Sequence, residues 1–92
     1  MPPRPKDLSP TQRDVLARVR ASGALHRWRG GFWTDQPKSG PGIRIPDWYV
    51  GFPTVRAMEK RGLIMVTGRQ RDFVVRYGLT PDGAALAEQI AA

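Results

Sequence analysis

The chain contains no cysteine and a single histidine. The first absence excludes a disulfide framework and thiolate chemistry, and the second leaves too few ligands for a zinc site of the usual kind. With no acid or thiol partner nearby in sequence, His26 reads as a structural or surface residue. No stretch approaches the roughly 18 consecutive apolar residues of a membrane span, and no apolar signal core opens the chain, so the expected location is cytoplasmic. Carboxylates are scarce, eight against fifteen lysines and arginines, and they are scattered. Phosphate-cradling loops are missing too: Gly68 to Asp72, GRQRD, lacks a Gly-Lys-Ser/Thr ending, and GPGIRIP is not a G-x-G-x-x-G fingerprint. The expectation is a protein that is not an enzyme and uses no cofactor.

What is present is positive charge, unevenly placed. The 92 residues carry a net +7, and the pI is about 11.1. Residues 1–29 hold seven basic and two acidic groups (+5), 30–53 two and two (0), 54–76 six and two (+4), and 77–92 none and two (−2). Such clustering points to nucleic acid, or less specifically to an acidic protein partner. The length supports one domain, expected over 8–92, preceded by a disordered basic arm at 1–7 that is Pro-rich and too polar to pack.

Ser9-Pro10-Thr11-Gln12 is a capping-box helix start, and Ser22-Gly23 ends that helix. Val15, Leu16 and Val19 form its apolar stripe, with Arg18 away from it as a candidate contact to a nucleic-acid backbone. Ala24 to Thr34 reads as a hairpin turning at Gly30-Gly31, which places Trp28 opposite Trp33 and Arg29 opposite Phe32. The Trp pair would add about 0.2–1 kcal/mol beyond burial, and the aromatics serve either as core or as a platform for unpaired bases. Asp35 to Pro46, with three prolines and two glycines, excludes a regular helix, and Asp47 to Val50 offers at most one helical turn. Lys38 and Arg44 in this long loop are further candidate backbone contacts.

Pro53 suits a first helical turn and Gly62 the left-handed position past a helix end, which predicts a helix over Pro53 to Arg61. At 3.6 residues per turn Val55 and Met58 share one side, while Arg56, Ala57, Lys60 and Arg61 fall on the other. The period then changes to two. Leu63 to Val66 and Phe73 to Tyr77 predict two strands, joined by a polar tip, Thr67 to Asp72, that carries Arg69, Gln70 and Arg71. Thr80-Pro81-Asp82-Gly83 starts a last helix running to about Ile90, with Leu86, Ala87 and Ile90 on its docking face.

The run TVRAMEKRGLI, a strand pair, and LTPDGAALAE resemble the C-terminal half of MarR-type winged helix-turn-helix regulators, over Thr54 to Ile90. That resemblance implies a small α+β winged helix, with a recognition helix at 53–61, a wing tip at 67–72 and double-stranded DNA as partner. Thr54, Arg56, Ala57, Lys60 and Arg61 would face the major groove, and Arg69, Gln70 and Arg71 would meet the backbone or minor groove. The implied role is a small bacterial or phage transcriptional regulator. Two features depart from the pattern. No full helix precedes the recognition helix, so either the loop and hairpin support it, with Trp48, Val50 and Phe52 filling the gap, or the domain serves as a protein-binding module. Helices flanking the wing build the dimer in the resembled regulators, and the last helix here is short for that, which leaves homodimer formation open. Single-stranded nucleic acid or RNA bound on the aromatic hairpin is a third reading.

Overall fold

The opening helix forms because its cap chemistry is complete. The Ser9 hydroxyl accepts from the Gln12 N–H at 3.1 Å, and Gln12 Oε1 accepts from the Ser9 N–H at 3.1 Å. Helix α1 (Pro10–Ser22) ends at Gly23, whose φ of 95° suits glycine and whose N–H donates to Val19 O. This is a computed structural model, and it describes residues 3–28, 30–36 and 46–91. Upstream, where a disordered arm is expected, Pro5–Asp7 forms a 3-10 turn. The Arg13 guanidinium donates twice to Pro5 O, Arg61 donates to Asp7 O, and Leu8 is buried.

Strands β1 (Leu25–Arg27) and β2 (Phe32–Thr34) make the first hairpin, in a different register from the expected one. Arg27 lies opposite Trp33, and the Trp28 N–H donates to Phe32 O at 2.9 Å. The loop therefore holds three residues rather than two, and no Trp28–Trp33 pair forms. Because side chains alternate across a strand, this one-residue difference decides which Trp is buried. Trp33 enters the core, edge-on to Tyr77 at 4.9 Å, while Trp28 shares the opposite face with Phe32. Arg29, expected opposite Phe32, lies outside the described residues.

The helical turn expected at Asp47 to Val50 is replaced by extended chain. Val50–Gly51 forms strand β3 beside β2, pairing Trp33 with Val50, and the buried Thr34 hydroxyl donates to Trp48 O at 2.8 Å. A strand pair stands where the expected pattern has a helix. Val50 is buried and Trp48 packs on the core, but Phe52 stays largely exposed.

Helix α2 (Phe52–Lys60) begins and ends one residue before the expected bounds, and Gly62 takes φ 73° behind it. Val55 and Met58 are buried as the periodicity requires. Strands β4 (Ile64–Gln70) and β5 (Phe73–Leu79) are longer than expected, so Thr67 to Gln70 belong to β4 and the turn is only Arg71-Asp72. The pairing shifts on either side of Gly68, a bulge that breaks strict alternation. Leu63, just ahead of the strand, and Ile64 are both buried, Met65 faces out, and Phe73 is 59% exposed because the hairpin outruns the core.

Helix α3 (Pro81–Ala91) is capped by Thr80, whose hydroxyl accepts from the Gly83 N–H at 3.0 Å and donates to Gly62 O. Leu86 and Ala87 are buried against the shared core. Over the described residues the fold is thus a small α+β domain, with three α-helices and a five-stranded antiparallel sheet ordered β3-β2-β1-β5-β4. No described helix is long and apolar enough to cross a membrane.

Candidate nucleic-acid interface

Anchoring Val55 and Met58 in the core fixes how α2 is rotated about its axis. Arg56 and Lys60 consequently project into solvent, while Thr54 and Ala57 sit half-buried at the margins of that face. The Arg56 guanidinium lies over the Phe52 ring, 5.9 Å from its centroid, so an aromatic face supports it. Neither Arg56 nor Lys60 meets a carboxylate among the described residues, where the one ion pair is Arg18–Asp35. Arg61, just past the helix, is partly tied down by its bond to Asp7 O at 3.2 Å.

The long hairpin brings a second set of cations. Arg69, Gln70 and Arg71 are all exposed, and Arg71 occupies the left-handed region at φ 56°. Arg76, one strand over, donates to Thr67 O at 2.9 Å and to the Thr67 hydroxyl at 3.3 Å, so its guanidinium is held in place. Of the other candidates, Arg18 is engaged with Asp35 at 3.5 Å and lies over the Trp48 ring at 5.1 Å. It joins α1 to the chain around β2 and β3 and is only half available to a ligand. Lys38 and Arg44 lie outside the described residues.

A platform of hairpin aromatics is one of the readings the sequence leaves open, but the membership of two groupings is not legible there. Half-buried Trp28 and exposed Phe32 and Tyr49 form an aromatic cluster with ring centroids 5.3 to 6.4 Å apart. In addition, a cleft of about 520 Å³ opens beside both hairpins, where Arg27, Arg71 and Arg76 meet Trp28 and Phe73, with His26 also lining it. Period-two alternation could have put Arg76 on the surface, but the meeting of β1 with β5 is a tertiary event without a local signal. Burial, and then the neighbouring Arg76 charge, push the His26 pKa below its ordinary value of 6.5, against a smaller opposite pull from Asp35. Tyr77 moves upward, first through burial and then through the Glu59 carboxylate, to which its hydroxyl donates at 3.3 Å.

Among the described residues, no group of three His, Cys, Asp or Glu side chains gathers where a metal ion could sit. Comparison with protein-family models, with curated proteins and with solved structures finds no match.

Proposed function

We propose that the chain is a small winged-helix protein that binds double-stranded DNA in a sequence-dependent manner and acts as a transcriptional regulator. Helix α2 enters the major groove, and the β4–β5 hairpin lies along the backbone or minor groove as a wing. The observation that carries the reading is the two-sidedness of α2: Val55 and Met58 are locked inward, while Arg56 and Lys60 stand out with no carboxylate to neutralise them. Thr54, Arg56 and Ala57 then face base edges, and Arg56 makes the two-pronged contact to guanine that a guanidinium favours. Lys60, Arg61, Arg69, Gln70 and Arg71 hold phosphates and fix the register.

The test separates these roles. A preferred duplex is first selected from a random pool. Arg56→Ala is then expected to cost about 1–3 kcal/mol on that duplex and to relax its choice at one base pair, whereas Arg69→Ala weakens preferred and random duplexes alike. Equal losses on both duplexes from both variants contradict this division.

The Trp28–Phe32–Tyr49 cluster favours a second reading, in which the same domain docks an acidic protein partner through an aromatic surface. A stoichiometric protein partner retained after nuclease treatment, together with no selectable duplex, supports that reading over DNA.

A further inference from the structure

The two hairpins part company at the His26–Arg76 pair. β1 turns away into β2, while β5 and β4 continue together to Arg71-Asp72. The cleft between them has walls of two kinds. Phe73 offers a ring that is 59% exposed, with the Arg27 guanidinium stacked over it at 5.3 Å from the ring centroid, and half-buried Trp28 also lines the space. Arg27, Arg71 and Arg76 supply three cations, and among the described residues no carboxylate lines the cleft. Arg76 is already oriented by Thr67, so ordering it on a ligand costs little.

A lone inorganic anion would use the guanidinium groups and leave the rings idle. An apolar ligand would use the rings and leave three desolvated cations unpaired. A flat aromatic base joined to a phosphate uses both, and about 520 Å³ lies within the usual range of small-ligand clefts. We infer that this cleft holds an unpaired nucleotide, with its base stacked on Phe73 or Trp28 and its phosphate on Arg27, Arg71 and Arg76. The site lies off the α2 face and shares Gln70 and Arg71 with the hairpin contacts proposed above, but Arg27 and Phe73 have no part in them.

Trp28 gives the readout, since Trp33 is buried away from the cleft and Trp48 does not line it. Titrating the full chain with a short oligothymidylate at low salt is expected to quench its fluorescence saturably, and Trp28→Phe is expected to remove the quench. Phe73→Ala and Arg27→Ala should each weaken binding about tenfold or more, whereas Arg56→Ala leaves it unchanged. Both altered residues are on the surface, and circular dichroism checks that each variant is folded. Thymidine monophosphate competing as well as the oligomer, nucleotide for nucleotide, identifies a free nucleotide as the ligand; much weaker competition identifies an unpaired position within a strand. Absence of a saturable quench, or wild-type binding by folded Phe73→Ala and Arg27→Ala, overturns the proposal. A blunt duplex run in parallel keeps the two readings apart. Duplex binding without a quench sinks only the cleft, and a quench without duplex binding sinks only the α2 reading.

Discussion

A methyl group at position 83 has no room. The Gly83 Cα faces the Leu63 carbonyl so closely that an added Cβ would overlap its oxygen, and the obstruction is backbone, which cannot rotate away. The same carbonyl accepts the Thr80 N–H at 3.1 Å, and Thr80 caps α3 while its hydroxyl donates to Gly62 O. Gly62, Leu63, Thr80 and Gly83 thus form one joint that seats α3 against the end of α2. Gly83→Ala, which would favour a helix on propensity alone, is therefore expected to lower unfolding free energy by about 2 kcal/mol or more. Urea denaturation measures this, and a stabilised variant would mean that the joint is looser than described. At position 26 the lowered pKa means that folding favours the neutral imidazole. The unfolded chain binds more protons just below pH 6.5, so stability is full above that value and falls as pH drops toward the folded pKa. His26→Gln should flatten that part of the stability curve, and an unchanged slope would assign it to other groups.

At the scale of elements, the turn at Arg71-Asp72 allows fold and binding to be separated. Arg71 sits at φ 56°, where a side chain costs about 1 kcal/mol or more and glycine does not. Arg71→Gly relieves that strain but loosens the unfolded chain by a comparable amount, so stability is expected to stay within about 0.5 kcal/mol of wild type. DNA affinity should fall all the same, because a cation has left the hairpin tip. Equal thermal unfolding with weaker binding supports this, and unchanged affinity removes the tip from the interface. The helices were legible in the sequence because their signals are local: Ser9 with Gln12, Pro53 with Gly62, and Thr80 with Gly83 each announce an end within a few residues. The burial of Val55 and Met58 followed from periodicity in the same way. Strand register was less legible. A two-residue turn at Gly30-Gly31 satisfies local geometry, but the three-residue loop puts Trp33 against Tyr77, and that packing lies far away in sequence. Strand β3 was missed for a related reason, since Val50-Gly51 is too short to show a period and becomes a strand only beside β2. Of the candidate site, the residues on α2 and the hairpin tip were readable one element at a time. Arg27 and Arg76 were not, because their significance depends on where two hairpins diverge.

For the molecule as a whole, the net charge of +7 becomes informative once the fold shows where the cations are. Arg18 is engaged internally with Asp35 and Arg13 with Pro5 O, whereas Arg56, Lys60, Arg69 and Arg71 remain in solvent without acidic partners among the described residues. On DNA, charge placed in this way would act through counterion release, which grows with the number of phosphates met and leaves a signature in salt dependence. On the proposed reading, the outward face of α2 and the β4–β5 hairpin together grip duplex DNA. The most direct measurement is duplex affinity across a salt series. If about five phosphates are neutralised, log K should fall against log salt with a slope of about −4.5, losing several hundredfold between about 50 and 200 mM. Removing Lys60 or Arg69 should reduce that slope by about one each. An affinity that stays flat across the series, or a slope indifferent to both substitutions, would contradict the claim.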